Sequence, residues 1–106
     1  MFITTTQNVE GKVIKEYKGV VFGEVINGAN FIKDFSASIT NFIGGRAQVY
    51  EDEIINARTN ALNEMMSRAI QLGANGIVGV RVDVETLGQN GSMIMVTASG
   101  TAVVIE

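Results

Sequence analysis

The last thirty residues leave this chain little freedom. From Ile77 to Glu85 apolar and polar residues alternate, with Val78, Val80, Val82 and Val84 on one side and Gly79, Arg81, Asp83 and Glu85 on the other. That period of two predicts a strand with one buried face. Leu87 to Ser92, with Gly88, Asn90 and Gly91, reads as a turn, and Met93 to Ile105 as a second strand. The outer face of that second strand is much less polar than solvent contact calls for. A hairpin so apolar must be covered, and the rest of the chain has to supply the cover.

The strongest cover is helical. A helix is expected from Val49 or Tyr50 to Leu72, with Gly73 in the left-handed C-terminal position. Glu51, Asp52 and Glu53 would fill its first turn, where the helix dipole favours negative charge. Glu64 and Arg68 stand four apart in the favourable order for a surface pair. Its apolar side, including Ile54, Ile55, Leu62, Met65, Met66 and Leu72, is wider than one sheet face needs, so the helix is expected to meet two surfaces. Ahead of it, Ile32, Phe35, Ile39, Phe42 and Ile43 follow helical spacing, with Asn30 as N-cap and Gly44-Gly45 as terminator. Phe2 to Thr6 reads as a strand, and Lys12 to Ile26 as one long bent strand or two short ones joined at Gly19. Gly19 and Gly23 in the latter mark a bulge, a bend or a close backbone approach. The expected fold is therefore α+β: two helices packed on a mainly antiparallel sheet, in a single domain over residues 1–106.

Composition narrows the chemistry. The chain has no Cys and no His, so thiol and imidazole nucleophiles, zinc fingers, iron–sulfur clusters and disulfides are excluded. The five serines singled out (Ser36, Ser38, Ser67, Ser92 and Ser99) lack an activating His. Charged residues make up 18%, below the usual share of about 25%, and 46% are hydrophobic. That excess in so short a chain points to apolar surface buried between subunits, hence a homo-oligomer. The net charge of -3 and the interleaving of Lys12, Lys15 and Lys18 with Glu10 and Glu16 argue against a nucleic-acid partner. No stretch is long and apolar enough to span a bilayer and the first nine residues do not form a signal peptide, so a cytoplasmic protein is expected.

Six residues are the candidates for ligand contact. Gly44, Gly45 and Arg46 precede the long helix, where backbone N–H groups and a guanidinium could cradle an anion, or serve as a hinge. Tyr50 and Glu51 follow, and Arg58 lies two turns after Glu51 on the same helix face, where Glu51, Asp83 or a neighbouring subunit's carboxylate could pair with it. No catalytic residue and no metal ligand set is assigned, and no cofactor is evident. The acidic triplet could hold a hard cation only with help, since consecutive helical residues diverge. Arg81, Asp83 and Glu85, with Glu24 or Glu16 alongside, read as cross-strand charge pairing. Met65, Met66, Met93 and Met95 read as core or interface filler.

Taken in order, Thr4-Thr5-Thr6, Gly23-Glu24, Lys33-Asp34-Phe35, Gly44-Gly45-Arg46, Tyr50-Glu51, Ala57-Arg58 and Glu64-Met65 resemble the YbjQ-like family of small bacterial proteins. Gly73-Ala74-Asn75-Gly76-Ile77-Val78-Gly79-Val80 and Ser99-Gly100-Thr101-Ala102-Val103 complete the resemblance. The family carries a heavy-metal-binding label and an uncharacterised function. The resemblance implies a dodecin-like subunit of a ring-shaped homo-oligomer, a homopentamer. Without Cys or His, any metal would fall to carboxylates and thioethers converging from several subunits. Three readings follow: a non-enzymatic assembly or binding protein with a ligand cleft at subunit boundaries, a carboxylate-based metal binder, and an enzyme whose site is shared between subunits.

Overall fold

The computed structural model describes residues 1–27, 43–87 and 93–106. Along the chain run β1 (Phe2–Ile3), β2 (Ile14–Asn27), α1 (Ile43–Gln71), β3 (Gly76–Leu87) and β4 (Met93–Ile105). The strands form one sheet in the order β1-β3-β4-β2. β4 is paired along its length with β3 on one side and β2 on the other, both antiparallel. β1 lies parallel to β3, with Phe2 opposite Gly76 and Ile3 opposite Ile77. The pairing continues past the strand: the Thr4 N–H donates to the Ile77 carbonyl at 3.0 Å, and the Gly79 N–H to the Thr6 carbonyl at 2.8 Å.

This corrects the expected fold. Among the described residues one helix, not two, covers a four-stranded mixed sheet, and the dodecin-like ring subunit implied by the resemblance is not what this architecture supports. The first expected helix falls outside the described residues. The sheet is mixed because the Gly73–Asn75 turn sends β3 back in the same direction as the N-terminal strand. Gly44 and Gly45 do not stop a helix either: both lie in the first turn of α1. A glycine costs only about 1 kcal/mol against alanine in a helix, a preference that a long run of good helix formers overrides. The acidic triplet at 51–53 consequently sits about two turns inside α1 rather than at its start.

The contact between α1 and the sheet is narrow and close. Ala57, Ala61, Met65 and Ala69, each four residues from the next, are buried against Val21 of β2 and Ile94, Val96, Ala98 and Ala102 of β4. Gly23 lies beneath α1, where a Cβ would stand 1.9 Å from the Ala61 carbonyl oxygen. Only glycine lets the helix backbone settle there. Leu62 and Met66 flank the stripe, half-buried, whereas Ile55, Ile70 and Leu72 are exposed. Among the described residues the wide apolar side of the helix meets one surface, the sheet, and not the expected two.

Two strands depart from simple alternation. In β2 the register slips at Lys15 and again at Lys18, just before Gly19 at φ +128°, which bends this long strand as expected. In β3 a bulge between Val78 and Arg81 is built on Gly79 at φ +62°. Val78 and Val80 are therefore not on one face: Val80 joins the helix-covered core, and Val78 faces Tyr17 and Thr101 on the other side. Helix α1 ends as expected, with Gly73 left-handed at φ +85° and its N–H donating to the Ile70 carbonyl at 2.9 Å.

Candidate functional site

All six candidate residues fall on α1, but the helix does not gather them. Gly44, Gly45 and Arg46 occupy its first turn and Tyr50 its second, as backbone positions. Glu51 and Arg58 are exposed. Their seven-residue spacing puts them on one face about 10 Å apart along the axis. Among the described residues the Arg58 guanidinium forms no ion pair with Glu51 or Asp83; Asp83 accepts instead from Arg81 on its own strand, at 3.1 Å.

The best-developed polar constellation centres on Arg68, in the last turn of α1. Its Nη2 donates to Glu64, the expected pair one turn back. Its Nη1 donates to the Phe22 carbonyl at 2.6 Å and to both Glu24 carboxylate oxygens at 3.3 Å. Arg68 thus reaches over the edge of the sheet and occupies an outward carbonyl of β2, a device that blunts an unpaired edge strand. Sequence spacing could show Glu64 but not Glu24, which is brought in by the tertiary fold. The cluster is half-exposed, its charges already satisfy one another, and it has no nucleophile, so its role is structural.

The uncovered face of the sheet is the more unusual surface. Val20, Phe22, Glu24 and Ile26 of β2 stand beside Thr101, Ser99, Thr97 and Met95 of β4, and those beside Arg81, Asp83 and Glu85 of β3. The three apolar side chains of β2 are 46–65% exposed. The Asp83–Thr97–Glu24 row holds two carboxylates two strands apart, about 10 Å, too far to share a proton or an ion directly.

A cavity of about 700 Å³ opens at the other end of the sheet, between the segment 2–12 and the end of β4. Thr4 and Thr6 share a hydrogen bond of 2.9 Å across its wall, and the Thr6 hydroxyl donates to the Asn8 carbonyl at 2.6 Å. Asn75 is fixed by two bonds to Ile105, donating to its carbonyl at 2.9 Å and accepting from its N–H at 2.8 Å. No residue of this cavity was among the six candidates. Its signals in the sequence are the threonine triplet, Asn75 in the run Gly73 to Val80, and the interleaved Glu10 and Lys12.

A family profile described as "Putative heavy-metal-binding" matches residues 1–106. A UPF0145 protein of Acetivibrio thermocellus is 64% identical over 106 residues, covering all of both chains. A UPF0145 protein of Clostridium botulinum is also 64% identical over the full length of both. One from Listeria welshimeri is 61% identical over all of this chain and 96% of its own. Among solved structures, a protein of unknown function from Pediococcus pentosaceus, assigned to the DUF74 family, has a TM-score of 0.56 at 23% identity, covering 100% of this chain and 98% of its own.

The donor set does not fit a heavy-metal centre. Soft metals favour thiolate, imidazole and thioether, and the sequence contains no Cys or His, which leaves methionine thioethers alone among these. Among the described residues no three carboxylates come together where they could hold an ion. No helix there is long and apolar enough to cross a membrane.

Proposed function

The chain belongs to the YbjQ-like family of UPF0145 proteins, and we propose that it serves as a non-enzymatic, cytoplasmic homo-oligomeric assembly and binding protein. The observation that carries this reading is the row of Val20, Phe22 and Ile26, bare on an edge strand of the sheet. Elongation supports it: the radius of gyration is 17.0 Å, against about 13 Å for a compact domain of this length. A chain with so much apolar surface on one open face and along the outer side of α1 gains by covering it with further copies of itself. Five copies is the count to test. In such an assembly the exposed side of α1 would border a neighbour, and Gly44, Gly45, Arg46, Tyr50, Glu51 and Arg58 would line a cleft at the boundary.

Native mass spectrometry and light scattering test this on the intact protein and on Phe22→Asp, which puts a charge on the open face and leaves the helix-covered core untouched. The expected result is a homo-oligomer that falls to monomer in the variant while its circular dichroism is unchanged. A parent protein that is monomeric at micromolar concentration would overturn the proposal.

A further inference from the structure

The cavity at the end of the sheet combines two chemistries in its lining. Phe2, Val9 and Ile105 are apolar, and the exposed Glu10 and Lys12 are charged. The hydroxyl donors of Thr4 and Thr6 are spent along the wall: Thr6 donates to Asn8, so Thr4 must donate to Thr6. Asn75 has its carbonyl oxygen and one N–H committed to Ile105. What remains for a ligand is the second Asn75 N–H, the Asn8 side-chain amide and, as the strongest groups, the two charges.

Those charges are held by a defined turn. The Lys12 N–H donates to the Val9 carbonyl at 3.1 Å, and Gly11 between Glu10 and Lys12 has φ +77°. This is the geometry of a type II turn, with glycine at the position requiring positive φ. The next residue is pinned as well, since Val13 and Glu106 exchange two backbone hydrogen bonds of 3.0 Å. Glu10 and Lys12 are therefore carried on a fixed backbone, two residues apart and of opposite sign, yet they form no ion pair with each other. Among the described residues neither pairs with any other charge. The volume is within the range of small-molecule sites, about 300–1,000 Å³.

We propose that this cavity binds a small zwitterion of the amino-acid class. The ligand carboxylate meets the Lys12 ammonium, its ammonium meets the Glu10 carboxylate, and its apolar side chain lies against Phe2, Val9 and Ile105. The two unpaired charges select a ligand that carries both signs; an ion of either sign alone would meet one attraction and one repulsion. The assignment is independent of the oligomeric reading, because every lining group comes from one chain.

The test is an NMR amide titration of the full-length protein with L-leucine, 4-methylpentanoate and 3-methylbutylamine, up to about 10 mM, beyond the 1 mM reference point of weak binding. Leucine should shift the amides of residues 2–12, 75 and 105. Each single-charge analogue should bind about tenfold more weakly, the scale of one charged hydrogen bond. Lys12→Met and Glu10→Gln, both at exposed positions, should each weaken leucine about tenfold while the remaining spectrum stays in place. The proposal is overturned if leucine leaves these amides unmoved, or if analogues and variants bind as leucine does to the parent.

Discussion

Val20 and Val21 are neighbours of the same type in the same strand, yet Val21 is 4% exposed and Val20 65%. Val21 looks toward α1 and joins a core with Val96 and Ala98, while Val20 looks out from the bare side of the sheet. The difference between the two faces of β2 is one of cover rather than residue choice. On the helix side, small residues and Gly23 bring a backbone close enough to exclude water. On the other side, comparable apolar groups wait for a surface the described residues do not provide. Burial on the first face should determine whether a single chain folds, and burial on the second how many chains associate.

Mutations can break this division or sharpen it. The largest effect is expected from Met65→Ala, which empties a fully buried site and should cost about 3–4 kcal/mol in denaturant unfolding. Gly23→Ala comes next, because its Cβ would collide with the Ala61 carbonyl and force α1 outward, for about 2 kcal/mol by the same measurement. Arg68→Ala should cost about 1 kcal/mol, since its ion pairs are half-exposed and its bond to the Phe22 carbonyl is the main loss. Phe22→Ser on the bare face should change the stability of a dilute, dissociated chain by less than about 0.5 kcal/mol. The same substitution should shift the self-association midpoint measured by sedimentation. If Phe22→Ser destabilised the isolated chain as much as Met65→Ala, the two faces would not be divided in this way.

Local signals carried a good part of this fold. The antiparallel pairing of β3 with β4, whose expected turn over 88–92 lies outside the described residues, the left-handed stop at Gly73, the bend at Gly19, the close approach at Gly23 and the Glu64–Arg68 pair all rest on neighbours within a few residues or on the special freedom of glycine. What stayed hidden depends on distant partners. The parallel pairing of β1 is decided where β3 enters the sheet, seventy residues away in sequence. Glu24 reaches Arg68 only after helix and strand pack. Gly44-Gly45 reads as a helix stop because the local propensity of glycine is weak against the long run of good helix formers that follows. As for the site, the helix residues chosen for charge and spacing are strung along α1. The cavity at the sheet end draws together segments far apart in sequence, so its threonines, Asn75, Glu10 and Lys12 do not read as one pattern along the chain.

The bulge at Gly79 carries an implication for how such chains can change length. Along a regular ladder, one inserted or deleted residue turns every following side chain over, sending core valines to water and charges inward. At Gly79 two residues already share the place opposite one, so the reading frame of the faces shifts there without breaking the ladder. Removing that residue would restore strict alternation and leave Ile77 and Val80 in the core and Val78 on the opposite face. Single-residue length variation among relatives should therefore collect at Gly79 and at the two slips in β2, and be absent from the stretch pairing Arg81–Leu87 with Met93–Ser99.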